Sequence, residues 1–208
     1  MRTYHKIQTV FKRDPDNHFK TLLEGQYSEP EFEYLKDNDW VWTEKVDGTN
    51  VRVQYHDGNV YFKGKTDRAQ MPPQLLENLQ EMFPVERMKS TFTGSNVCLY
   101  GEGYGAKIQK AGASYGPEQT FVLFDIRAGE WWLQRKDLEG IAKNLGIDIV
   151  PIVEVGPLSE MVVAAEQGCK SQWGDFLMEG FVARPATELK TRAGGRIITK
   201  IKTADFGG

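Results

Sequence analysis

The stretch "WTEKVDGTN", Trp42 to Asn50, sets Lys45 two residues before an Asp47-Gly48 turn among strand-forming residues. A lysine amine is a nucleophile once it has lost its proton, and a turn at a strand end can hold it at the rim of a cleft. Taken alone, K-x-D-G also describes an ordinary surface hairpin. Other residues of chemical use fall at strand ends or hairpin edges: Lys65 and Arg68 in "FKGKTDRAQ", Glu102 in "LYGEGYG", Phe124 and Asp125 in "VLFDI", and Glu179 in "MEGFVAR". Lys200 and Lys202 in "ITKIKTADF" close the set. Singly these read as strand-end acids, a core aromatic and the exposed face of an edge strand. Side chains alternate along a strand, so K-x-K puts both ammoniums on one side and points to a common target.

The elements that must position these residues are mostly strands. "WVWTEKV", "TNVRVQY" and "VYFKGK" are β-rich, with Asp57-Gly58 between the last two favouring a tight hairpin turn. An antiparallel meander is expected there. "NVCLYGE", "TFVLFDI", "EGFVAR" and "GRIITKIK" are further strand candidates, rich in β-branched and aromatic residues. "PPQLLENLQEMF" spaces Leu75, Leu76, Leu79, Met82 and Phe83 as an amphipathic helix behind its prolines, and "RKDLEGIAKNLGI" repeats the pattern up to Gly146. Strands with a few helices and no regular β-α-β alternation predict an α+β fold on an antiparallel sheet. No internal repeat, low-complexity tract or Pro/Ser linker divides the 208 residues, which read as a single domain, 1–208, with no separate C-terminal domain.

Composition narrows the function classes. A formal charge of −3 excludes a uniformly basic nucleic-acid coat. Basic residues concentrate locally instead, with Arg184, Lys190, Arg192, Arg196, Lys200 and Lys202 standing against the single acid Glu188. Cys98 and Cys169 lie far apart and only His5, His18 and His56 accompany them, so a zinc site is not expected and both thiols read as buried and reduced. No apolar run approaches the roughly 20 residues that span a bilayer, the start carries no signal-peptide core, and residence in the cytoplasm is expected. The phosphate loop G-x-x-x-x-G-K-[ST] is absent.

The ordered motifs K-x-D-G, G-E-G, F-D-I, E-G-F and K-x-K, running from Lys45 to Lys202, resemble those of the covalent nucleotidyltransferases: ATP-dependent DNA ligases, RNA ligases and messenger-RNA capping enzymes. "TEKVDGTN" and "GEGYGAKIQKAGASYG" are most similar to RNA ligases of the phage T4 RNA ligase 2 type, which carry E-K-x-x-G-T-N. The resemblance implies an ATP-grasp-like ligase adenylation domain.

It also implies roles. Lys45 would attack the α-phosphorus of ATP, releasing pyrophosphate; the lysyl-adenylate would pass AMP to an RNA 5′-phosphate, and a 3′-hydroxyl would displace it. A lysine at its ordinary pKa of about 10.4 is almost wholly ammonium at neutral pH, so the chemistry asks for neighbours that disfavour that form. Repulsion from Lys200 and Lys202, with partial desolvation, would do so, and both are assigned to the α-phosphate. By the same resemblance Phe124 stacks on adenine, with Phe121 as the alternative on the other face of a regular strand. Glu102 binds the ribose, the backbone around Glu44 reads the adenine amino group, and Glu179 holds Mg²⁺ or Mn²⁺. Asp47 is read as stabilising the turn.

Two departures stand out. Where the family offers an arginine for ribose or 5′-phosphate, this chain has "GKTDR", leaving the role to Lys65 or Arg68, and only Arg can grip phosphate with two prongs. The chain also stops soon after Lys202, where family ligases continue. RNA, single-stranded or as a nicked duplex, is expected along the segment from Arg184 to Arg196 and past Lys107 and Lys110, on a monomer. A DNA ligase, a capping enzyme and a non-catalytic nucleotide- or RNA-binding module of the same fold are the competing readings.

Overall fold

In the computed structural model, which describes residues 2–94 and 96–206, Asp57 and Gly58 both take positive φ, 48° and 76°. That is what a two-residue hairpin turn requires, and Thr49–His56 pairs antiparallel with Asn59–Lys63 across it. The expected strands from Val97–Tyr104, Thr120–Ala128, Gly180–Pro185 and Thr199–Lys202 are all present. The fold is α+β with mainly antiparallel sheets.

Backbone contacts divide the chain into two compact units, one made of Asp47–Val150 with the residues up to Tyr4, the other of His5–Val46 with the chain from Pro151 onward. Neither crossing is marked by a linker-like composition. In the first unit the strand order is Asp148–Ile149, Thr120–Ala128, Val97–Tyr104, Thr49–His56, Asn59–Lys63, with Trp131–Trp132 added against Thr120–Ala128. The helix Pro73–Met82 starts on proline, as a first turn tolerates, and buries Leu75 and Leu79 one turn apart. The helix Arg135–Leu145 buries Leu138, Ala142 and Leu145 and ends on Gly146 in the left-handed conformation, a frequent helix stop. Both pack on one face of the sheet, against Val51, Val53, Leu99, Phe121, Leu123 and Ile126. Each fully buried aliphatic or aromatic side chain there contributes about 1.5–3 kcal/mol.

The second unit holds a sheet in the order Gln8–Thr9, Thr199–Lys202, Gly180–Pro185, Trp40–Glu44, Ile152–Gly156, and a separate hairpin of Phe11–Arg13 with Leu22–Tyr27. Its core gathers Trp40, Trp42, Leu158, Met161, Phe181 and Ile201. The helix Leu158–Gln167 supplies Leu158, Met161 and Ala165 to it.

Several expectations are corrected. Trp40–Glu44 is not the first strand of the meander: it pairs with Gly180–Pro185 and Ile152–Gly156 in the second unit. The chain leaves it through Lys45, Val46 and Asp47, which belong to no strand. Two pairings are parallel, Gln8–Thr9 with Thr199–Lys202 and Asp148–Ile149 with Thr120–Ala128. Cys98 is buried as expected, whereas Cys169 is only half-buried; both are free thiols.

Alternation in "VRVQY" assigns Arg52 to the polar face of its strand, yet it is fully buried. Its guanidinium donates to the Gly64 carbonyl at 2.8 Å and to Asp67 at 2.9 Å, so the loop carrying Lys65 and Arg68 covers it. The same hydrogen bond holds the Asp67 carboxyl below its usual range. Arg52→Met should lower stability by about 2–3 kcal/mol through the lost charge-assisted hydrogen bonds and the stranded Gly64 carbonyl. Urea unfolding measures this, and limited proteolysis should cut more readily between Gly64 and Arg68.

Candidate functional site

Lys45 follows directly on the strand Trp40–Glu44, and its backbone N–H continues the ladder by donating to the Gly180 carbonyl at 2.9 Å. Gly180 in turn sits opposite Lys202. A Cβ at Gly180 would lie 2.1 Å from the Ile201 carbonyl oxygen, so only glycine lets these strands approach with Glu179 beside them. The spacing in E-G-F thus has a steric origin.

The result is a three-residue ion cluster. One carboxylate oxygen of Glu179 meets the Lys45 ammonium and the other meets Lys202 at 2.5 Å. Glu179 is 15% exposed and Lys45 22%, which strengthens the pairing relative to open solvent. Lys200 and Lys202 share one face of their strand, as the alternation predicts, while Thr199 and Ile201 are buried on the other. In place of the repulsion among lysines that the sequence suggests, an acid lies between Lys45 and Lys202. The end of this strand is fixed by Asp205, which the sequence reading does not single out. Its buried carboxylate accepts from the Lys202 N–H at 2.9 Å and from Arg13 at 2.7 Å.

Glu44 is almost wholly buried. Its carboxylate accepts from the Ser171 hydroxyl at 2.6 Å and the Gln172 N–H at 2.8 Å, which ties the 171–173 turn to the strand that ends at the nucleophile candidate. Its backbone N–H is committed to the Pro151 carbonyl at 3.1 Å.

The remaining candidates lie in the first unit. Glu102 faces Asn50 across the Thr49–His56 and Val97–Tyr104 ladder. A Cβ at Gly48 would lie 2.2 Å from the Gly103 carbonyl oxygen and 2.8 Å from Cγ of Glu102, so the glycine of K-x-D-G is demanded by G-E-G. The turn is held further by two residues the sequence reading passes over: the Tyr115 hydroxyl accepts from the Asp47 N–H at 3.1 Å and Gln109 donates to the Gly48 carbonyl at 3.0 Å. Both sit in "GAKIQKAGASYG", so the signal was present as polar residues in a loop.

Phe124 is half-buried and Phe121 wholly buried. Phe121 packs edge-on against Phe83, with ring centroids 5.3 Å apart, and belongs to the core. Register shifts between Tyr100 and Gly101 leave Phe124 as the extra residue of a bulge. It meets Tyr4 edge-on at 5.1 Å, and the Tyr4 hydroxyl donates to buried Asp125 at 2.6 Å. Sequence distance hides this partner of the F-D-I motif. Lys65 and Arg68 are both exposed, on the loop that Arg52 pins.

Arg196 is not an open phosphate contact: its side chain is 4% exposed and paired with Glu188 at 2.6 Å. No group of three or more His, Cys, Asp or Glu able to hold a metal occurs among the described residues. Both carboxylate oxygens of Glu179 are engaged by ammoniums, so a divalent ion there would draw its other ligands from outside the protein, as Mg²⁺ commonly does with phosphate oxygens.

Burial raises the Glu44 pKa, with the Gln172 N–H and Ser171 hydroxyl pulling it back down. A raised carboxyl contributes stability that is complete below its unfolded value and lost as the pH rises through the folded one. At neutral pH the carboxylate depends on its donors. Ser171→Ala should cost about 1–2 kcal/mol at about pH 8, and the loss should shrink at about pH 4, where protonation removes the charge. Urea unfolding at both values measures it.

A model of the RNA ligase family matches residues 38–202. No curated protein sequence matches. Among solved structures, Naegleria gruberi RNA ligase with pyrophosphate is 20% identical at a TM-score of 0.68, over 94% of this chain and 56% of that chain. A mutant of the same ligase with ATP and Mn is 18% identical at a TM-score of 0.70, over 97% of this chain and 56% of that one. The likeness is one of fold, and this chain spans just over half the length of that ligase. With the matched stretch taking in Lys45, Glu102, Phe124, Glu179, Lys200 and Lys202, the chain belongs to the RNA ligase family.

Proposed function

We propose that this chain is the nucleotidyltransferase core of an ATP-dependent RNA ligase, of the phage T4 RNA ligase 2 type on the strength of "TEKVDGTN". The observation that carries the reading is the half-buried cluster of Lys45, Glu179 and Lys202. A binding module has no need of an amine held at a strand end by a carboxylate that a second lysine shares.

In the proposed sequence the Lys45 amine, having given up a proton, attacks the α-phosphorus of ATP. The N–P bond forms as the bond to the bridging oxygen of pyrophosphate breaks. Lys200 and Lys202 offset the negative charge gathering on the non-bridging oxygens, from positions fixed by their strand before the nucleotide arrives. An RNA 5′-phosphate oxygen then attacks the same phosphorus, restoring the Lys45 amine, and a 3′-hydroxyl displaces AMP to leave a phosphodiester. A divalent ion bound with the phosphates would supply neutralising charge, with Glu179 among its ligands. The roles of Glu102 toward ribose, of Phe124 toward adenine, of the backbone at Glu44 toward the adenine amino group and of Lys65 or Arg68 toward ribose or 5′-phosphate rest on their motifs. Of the RNA path expected along the basic run, Lys190 and Arg192 remain the exposed members.

The test is sealing of a nicked duplex and of a single strand, each carrying a 5′-phosphate, with ATP and Mg²⁺. Adenylated 5′ ends and sealed product are expected when the nucleotides at the 3′-hydroxyl end are RNA. Equal sealing of all-DNA ends would make this a DNA ligase, since a nearby 2′-hydroxyl is what separates the two. Transfer from GTP to a diphosphate end would make it a capping enzyme. RNA binding without either product would leave a non-catalytic module.

A further inference from the structure

The family match begins at residue 38, yet an earlier segment builds a groove that reaches one of the motif lysines. Gln8–Thr9 runs parallel to Thr199–Lys200, with Thr9 opposite Lys200, and the Val10 N–H donates to the Lys200 carbonyl at 3.1 Å. Beside this pairing lies an open cavity of about 490 Å³ whose walls include Lys6, Lys12, Arg13, Phe19, Glu29 and Lys200. Four cations face one carboxylate. Arg13 is engaged by Asp205, whereas Lys6 and Lys12 are exposed and form no ion pair among the described residues.

Phe19 gives the groove a second character. Its ring is 61% exposed, and it sits at φ 60° after His18 at φ 52°. Two consecutive non-glycine residues in the left-handed region are strained by the contact of Cβ with the backbone, so an arrangement of this kind needs support. It has that support: the Phe19 N–H donates to the Asp14 carbonyl at 2.8 Å, and Arg13 donates to the Phe19 carbonyl at 3.2 Å. A turn held in this way keeps an apolar ring in solvent at the edge of a cationic channel.

Cations that follow a phosphate backbone, joined to an aromatic surface for a base, are the two requirements for holding a single strand. We infer that the groove formed by Lys6, Lys12 and Phe19 carries a single-stranded stretch of the polynucleotide substrate toward Lys200, with phosphates on the two lysines and a base stacked on Phe19. The inference rests on the RNA ligase reading for the identity of that substrate. A bare polyphosphate would use the lysines and leave the exposed ring without a role, so the strand is the occupant that accounts for both features.

The test compares the wild-type chain with Lys6→Glu/Lys12→Glu and with Phe19→Ala, all at exposed positions outside the proposed catalytic set. Fluorescence anisotropy of a labelled, 5′-phosphorylated RNA of about a dozen nucleotides is followed across a salt series, with self-labelling from ATP measured in parallel. The double variant should bind at least about tenfold more weakly and lose about 1–1.5 from the slope of log affinity against log salt. Phe19→Ala should lose about fivefold or more with the slope unchanged. Labelling from ATP should be unaltered in both. Wild-type affinity and slope in the variants would overturn the inference, as would a wild-type chain that does not bind the RNA. A fall in labelling with RNA affinity intact would also overturn it, assigning the groove to the phosphates of ATP. Variant-sensitive RNA binding by a chain that never labels itself would uphold the groove and remove the ligase reading.

Discussion

One carboxylate held between two ammoniums is the constraint on which the second unit's site depends. Lys45, just past the end of the strand Trp40–Glu44, and Lys202, at the end of the strand Thr199–Lys202, lie far apart in sequence, and neither ammonium is fully solvated. Like charges brought to one half-buried place need an anion, because the loss of water is costly and mutual repulsion adds to it. Glu179 supplies that anion with one oxygen for each lysine. Its own position follows from Gly180, whose missing side chain lets the backbone come against Ile201, and from the Thr203 N–H, which donates to the Glu179 carbonyl at 3.0 Å. The ladder bonds of three strands therefore set the charges, and the charges in turn hold those strand ends together.

This arrangement changes how the lysines act. The sequence alone suggests that neighbouring cations make the Lys45 ammonium uncomfortable; with Glu179 interposed, the repulsion is offset in the resting protein. In the proposed reaction an incoming phosphate would offer the same two ammoniums the same kind of partner, several anionic oxygens with room for more than one donor. The cluster is thus organised around an anion, and under the proposed function that is the preorganisation that charge development in phosphoryl transfer would reward.

Much of the fold could be read from the sequence because its signals are local. The Asp57-Gly58 turn, the helix Arg135–Leu145 stopping at Gly146 and the strand around "TFVLFDI" each carry their own chemistry within a dozen residues. The helix Leu158–Gln167 was missed because its run of Val162, Val163, Ala164 and Ala165 blurs the helical period. The parallel pairing of Gln8–Thr9 was missed because nothing in two residues announces a partner nearly 200 positions away. The candidate site was legible in its motifs and in the shared face of Lys200 and Lys202. Arg52, Asp205, Tyr115 and Tyr4 escaped notice, since each acts through a contact far away in sequence or beneath a loop.

The claim at the centre is that Lys45 forms a covalent bond to AMP. The measurement is to incubate the chain with Mg²⁺ and ATP labelled at the α-phosphate, denature it, digest it and map the label, with GTP and Lys45→Ala as controls. The account predicts label from ATP, stable to denaturation, on the peptide that contains Lys45, and none on the variant. A folded chain that takes up no label, or carries it on another residue, would contradict it.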